Sequence, residues 1–241
     1  MPTALVISHT SSEHPGTLLT WLPAAGLDLV EVKPWQGETL PATVQHDALI
    51  VLGGPQQAYD DASAPWLRAT KSLLRQAVSD DVPTLGICLG GQLLAEATGG
   101  RVEVGADGPE LGARLVAKRD AAADDELFGL LPFTPTVIQW HWDAIVELPP
   151  GAVLLAGSPR YPHQAFRVGR RAWGLQFHVE PPPEMLRTWA KECANEVLAA
   201  GLDPDAVLER ALLQLDEVEA VWRPVMERFA SLSGAVTVPS Q

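Results

Sequence analysis

Thr84-Leu85-Gly86-Ile87-Cys88-Leu89-Gly90-Gly91-Gln92 is the stretch on which the reading turns. A short apolar strand runs into Gly-x-Cys-x-Gly and then into a helical pattern that stops at Gly99-Gly100. A chain that reverses from strand to helix at one residue presents that side chain at the strand's C-terminal end. Small neighbours keep strand and helix from colliding. The helix start offers free N–H groups and the positive end of its dipole. Both are expected to lower the Cys88 thiol pKa and favour the thiolate. The Leu89 N–H is expected to face an oxyanion that develops beside the sulfur. Alone, the same pattern also describes a small cysteine packed as core filler.

Outward from this turn, apolar runs at residues 3–8, 27–32, 47–52 and 84–87 read as strands. Helical spacing occupies 17–25, 66–78 and 89–98 between them. Near-continuous apolar strands separated by helices imply a mostly parallel sheet covered on both faces. Past Arg101 the pattern changes to short strands at 101–104, 113–117, 137–140, 153–156, 164–168 and 172–177. Within that region only 124–130 reads as a helix. These are expected to be hairpins and extra strands on the same domain. After Pro181-Pro182-Pro183 comes a helical tail, 183–200 and 204–231. Val207, Leu208, Ala211, Leu212, Leu215, Val218 and Val221 form its apolar stripe. The expected division is a main domain at 1–183, a helical extension packed on it at 184–232, and a flexible end at 233–241. Core cover is the simplest use of that stripe. Any part left over would mark a homodimer surface.

The bulk properties agree with an α/β domain of ordinary composition. The chain has 241 residues, 46% of them hydrophobic and 20% charged. A net charge of −13 repels phosphate backbones and anionic lipid, so no nucleic-acid or membrane partner is expected. Two cysteines are too few for a disulfide framework, and a reduced, cytoplasmic setting is the expectation. Residues 1–7 carry no basic start and no cleavage site, so they read as a strand and not a leader. No apolar run reaches the ~18 residues of a membrane span.

A second block, Trp173-Gly174-Leu175-Gln176-Phe177-His178-Val179-Glu180-Pro181, sets a histidine and a carboxylate two apart at a strand's end. Period-two alternation sends both to one side, and Pro181 keeps Glu180 extended. A carboxylate there can accept from one imidazole nitrogen and leave the other facing a thiol.

Gly53-Gly54-Pro55, the Cys88 block and the His178 block occur in that order. Together they closely resemble the class I (triad) glutamine amidotransferases, especially stand-alone proteins similar to the glutaminase domain of GMP synthase. The resemblance spans residues 3–183. It implies a flavodoxin-like three-layer α/β fold. It makes Cys88, His178 and Glu180 the catalytic triad, with Gly54 and Leu89 as N–H donors of the oxyanion hole. Gln92 would help bind glutamine or a γ-glutamyl small molecule, and His141 and Asp143 would lie near the same pocket. Two positions depart from the family pattern: Gly91 stands where a histidine is usual, and Val179 where a proline is usual. Gly91 is expected to cost only about 1 kcal/mol of helix propensity.

The implied activity is hydrolysis of the glutamine γ-amide through a Cys88 thioester, with ammonia passed to a separate synthase. A stand-alone γ-glutamyl hydrolase with the same triad is the alternative. A non-catalytic binding protein of the same fold is a third reading, against which the intact Cys88, His178 and Glu180 weigh. The six histidines show no metal-ligand spacing, and Gly53-Gly54 lacks a P-loop lysine. Neither a metal nor a cofactor is expected. His9 and His14 read as loop histidines near the sheet's C-terminal edge, and Cys193, which has no glycine turn, reads as structural.

Overall fold

The computed structural model describes residues 1–234. Four apolar runs become β1 (Thr3–Ile7), β2 (Asp28–Val32), β3 (Ala48–Val51) and β4 (Thr84–Ile87). The helices between them are α1 (Leu18–Ala24) and α2 (Trp66–Ser79), and α3 (Leu89–Ala97) follows β4. Then come β5 (Arg101–Val104), β6 (Glu110–Leu115), β7 (Ala117–Lys118), β8 (Thr136–His141) and β9 (Asp143–Glu147). The last strands are β10 (Val153–Gly157), β11 (Ala165–Val168) and β12 (Ala172–Leu175). Helices α4 (Pro183–Glu192), α5 (Ala194–Ala199), α6 (Pro204–Leu212) and α7 (Leu215–Leu232) end the described chain.

The main sheet has eight strands in the order β2-β1-β3-β4-β12-β11-β10-β7. The pairings from β2 through β12 are parallel, and those from β12 to β7 are antiparallel. The parallel part is the flavodoxin-like core expected from sequence. Two further two-stranded antiparallel sheets, β5-β9 and β6-β8, join strands that are not consecutive in the chain.

Strand parity sorts the side chains to two faces. Ala4, Val6, Ala48, Ile50, Leu85 and Ile87 pack with Leu18 and Trp21 of α1 and with Trp222 and Phe229 of α7. Leu5, Ile7, Leu49 and Val51 pack with Leu67 and Leu74 of α2 and Leu93 and Leu94 of α3. The apolar stripe of the C-terminal helices is used inside the chain. Val207, Ala211 and Val218 are buried, and Leu208, Leu212, Leu215 and Val221 pack against the same core.

Three local expectations change. Residues 124–130 form no α-helix, only a 3-10 turn at Phe128–Leu130. The Asp125 carboxylate accepts from the N–H groups of Leu127 and Phe128, each at 3.0 Å, and so competes with helical bonding. Strand β9 was not anticipated. It forms because Asp143–Glu147 pairs antiparallel with β5. The segments 183–200 and 204–231 each divide in two, at Cys193 and at Leu213-Gln214. Of the end expected to be flexible, residues 235–241 lie outside the described residues.

Candidate active site

Cys88 sits between β4 and α3 with φ 51° and ψ −108°. A side-chain-bearing residue held at positive φ is strained, and the surroundings must enforce it. Here the Cys88 N–H donates to Leu175 O at 2.8 Å, and Cys88 O accepts from Gln92 N–H at 2.9 Å. Glycine is needed just beyond. A Cβ on Gly90 would overlap the Val51 carbonyl, and one on Gly91 would overlap the Leu175 carbonyl. Gly91 therefore does more than depart from a family pattern, because it lets α3 lie directly on β12.

His178 lies past the end of β12, held by a bridge to β8. Its N–H donates to Ile138 O at 2.8 Å, and its O accepts from Ile138 N–H at 3.1 Å. Nδ1 of His178 is 2.7 Å from Glu180 Oε1. The other carboxylate oxygen of Glu180 accepts from Val179 N–H at 2.9 Å. Both side chains are 1% exposed. The Glu180 carbonyl accepts from Thr17 N–H at 2.9 Å, which ties this segment to the start of α1. Trp189 of α4 covers the imidazole, with ring centroids 4.7 Å apart.

Cys88 and His178 meet electrostatically. Burial pushes the Cys88 thiol up, and the charge and side-chain hydrogen bond of His178 oppose that rise. The net direction is upward, so the lowered thiol pKa expected from the helix start is corrected: burial outweighs it. Burial also works against a charged His178. The charges of Glu180 and Cys88, with their hydrogen bonds, overcome it and hold the imidazole well above its usual range. Cys88, His178 and Glu180 therefore titrate as one coupled group, each charge acting on the next.

A cavity of about 750 Å³ opens over this group, lined among others by Cys88, Gly54, Gln92, His141, Trp142 and Asp143. Its size is that of a small-molecule site. Gly54 lines the cavity with Cys88, and Leu89, the next residue after Cys88, is the first of α3. Gln92 Nε2 donates to Asp143 O at 3.2 Å and to Gln176 Oε1 at 3.4 Å. His141 Nδ1 faces Asp143 O at 2.8 Å, and its Nε2 faces Glu110 Oε2 at 3.3 Å. Glu110 also accepts from Ser158 and Gln164, and against burial the hydrogen bond and charge of His141, with these two bonds, keep its carboxyl below its usual pKa. Of the residues named from sequence, Cys88, Gly54, Gln92, His141 and Asp143 line the cavity, while His178, Glu180 and Leu89 are buried outside that lining.

Three residues of the site were not singled out from sequence: Glu110, Trp189 and Glu13. Glu13 follows β1 in a loop and lines the cavity. A Cβ on Gly53 would overlap its carboxylate and fall 3.0 Å from His178 Cε1, so carboxylate and imidazole converge on that glycine. Among the described residues no group of three His, Cys, Asp or Glu side chains could hold a metal ion, and no helix is long and apolar enough to cross a membrane.

Residues 25–189 match the profile of the family described as Glutamine amidotransferase class-I. The chain is 32% identical over 178 residues to the glutamine amidotransferase-like protein YfeJ of Salmonella typhimurium, covering 72% of this chain and 74% of that one. It is 38% identical over 133 residues to the glutamine-hydrolysing GMP synthase of Porphyromonas gingivalis, covering 55% of this chain but 24% of the synthase. The crystal structure of a glutamine amidotransferase from Thermotoga maritima superposes with a TM-score of 0.84 at 28% identity, covering 95% of this chain and 98% of that one.

Proposed function

This chain belongs to the class I glutamine amidotransferase family, and from that premise we propose that it cleaves the γ-amide of glutamine, or of a γ-glutamyl amide, through a thioester on Cys88. The observation that carries the reading is a buried cysteine held at positive φ beside an imidazole that is itself fixed by a carboxylate.

The Cys88 proton passes to His178 as sulfur attacks the γ-carbonyl. The N–H groups of Leu89 and Gly54 receive the oxyanion. His178 returns the proton to the departing nitrogen, and the C–N bond breaks. His178 then draws a proton from water, which attacks the thioester, and glutamate leaves. Glu180 holds the imidazole in one tautomer and orientation throughout. Gln92 and the His141–Asp143 segment shape the wall against which the glutamyl group rests. A free thiol nucleophile suits a reduced, cytoplasmic setting.

With glutamine as substrate, the released ammonia would go to a synthase. The chain's likeness to about a quarter of a GMP synthase supports that arrangement. Purified wild type and Cys88→Ala are to be compared for glutamate release from glutamine and from γ-glutamyl amides. Release that depends on Cys88 is the expected result, and equal rates would overturn the proposal.

A further inference from the structure

If His178 protonates the departing amine, the side chains around His178 mark where that amine sits. Glu13 converges with the imidazole on Gly53, and Trp189 packs against the ring at a tilt of 57°. Glu192, at the end of α4, and Glu196, in α5, line the same cavity with Glu13 and Cys193. After burial, the charges of Glu196, Glu13 and Glu192 all push the Cys193 thiol up. Burial and the charges of Glu180 and Glu192 raise Glu13 itself, against the pull of His178. No Lys or Arg is among the residues lining the cavity. Oε2 of Glu13 is sealed from solvent with no hydrogen-bond partner, which marks it as awaiting one.

Resting on the function proposed above, we infer that the leaving group is itself cationic: the preferred substrate is a γ-glutamyl amide of a diamine, polyamine or similar amine bearing a second positive charge. A buried carboxyl oxygen without a hydrogen-bond partner costs free energy that a bound ammonium returns. The Trp189 face adds a cation–π contribution. The chemistry balances without a further reactant. The S–C bond forms, the C–N bond breaks, and the His178 proton goes to that nitrogen. Water then completes hydrolysis, giving glutamate and the free amine.

The test compares glutamine, γ-glutamyl-n-butylamide and γ-glutamyl-4-aminobutylamide. The last two differ only by a terminal ammonium. We expect kcat/KM for the aminobutyl amide to exceed that of the butyl amide by roughly tenfold, the size of one or two partly exposed charge contacts. The ratio should fall toward one in Glu192→Gln/Glu196→Gln and shrink with added salt. Because the ratio is internal to each variant, a loss of folded protein cancels. Hydrolysis that depends on Cys88 but shows no cationic preference, or that acts on glutamine alone, overturns this inference and leaves the hydrolytic function standing. No Cys88-dependent hydrolysis of any of the three overturns both.

Discussion

Nδ1 of His178 and Oε1 of Glu180 lie 2.7 Å apart, and neither side chain reaches solvent. A buried carboxylate that holds one imidazole nitrogen leaves the other free to exchange a proton with Cys88. Glu180→Gln keeps the shape of the side chain but removes the charge that keeps His178 basic. Turnover of a γ-glutamyl amide should fall by roughly 10³-fold or more, mostly in kcat. Steady-state kinetics check this, and an unchanged kcat would remove Glu180 from the relay.

His178 opposes the rise that burial imposes on the Cys88 thiol. Removing the imidazole leaves burial without that opposition. In His178→Ala, the pH at which Cys88 becomes reactive should therefore move upward. Iodoacetamide labelling, read by mass spectrometry on the Cys88 peptide to separate it from Cys193, measures the midpoint. An unchanged midpoint would mean that the imidazole does not act on the sulfur.

Glu13 is raised from its ordinary 4.5 to about 7, by burial first and by Glu180 and Glu192 against His178. The folded protein therefore holds this proton more tightly than the unfolded chain. The sign follows from that: stability falls as pH climbs from about 4.5 through about 7. Glu13→Gln, which mimics the protonated form, should stabilise the free protein at pH 8 by on the order of 2 kcal/mol, or about 5 °C in Tm. It should change little at pH 5. Thermal unfolding at the two pH values decides.

Gly91 separates two physical effects of opposite sign. Helix propensity alone says that Gly91→Ala gains about 1 kcal/mol. The structure puts the Leu175 carbonyl where the new Cβ would lie, and a backbone group on a central strand cannot swing aside as a side-chain tip can. Packing should win, with a net loss of about 2 kcal/mol or more. Denaturant unfolding gives the sign directly, and a stabilised variant would show that α3 can move off β12.

The elbow was legible because a turn this tight leaves a chemical trace, glycine on both sides of Cys88. The strands were legible as apolar runs, but their facing was not. In Ala4-Leu5-Val6-Ile7 every side chain is apolar, and only packing reveals that Ala4 and Val6 look toward α1 while Leu5 and Ile7 look toward α2 and α3. The 124–130 region misled because its helical spacing was real. Asp125 spends its oxygens on local N–H groups, and also on Arg167 at 2.8 Å and on Trp173 at 3.0 Å, partners far along the chain. Glu13 gave no signal at all. It sits in a loop without periodicity, and its importance comes from a neighbour, His178, that only the folded sheet brings close.

The C-terminal helices reach the site through Trp222. Its ring packs on Phe177, the residue before His178, at 5.2 Å, and on Phe128 at 5.8 Å. Its indole N–H donates to Thr136 O at 2.9 Å, on the strand that bridges to His178. Trp222→Ala would empty a fully buried volume directly behind the base and strip the Thr136 carbonyl of its partner. We expect a loss of about 3–5 kcal/mol in unfolding free energy. Turnover measured well below the unfolding midpoint should also fall, because the Phe177–His178 segment loses its backing. Full activity in a destabilised Trp222→Ala protein would instead show that the bridge to Ile138 and the bond to Glu180 hold His178 unaided.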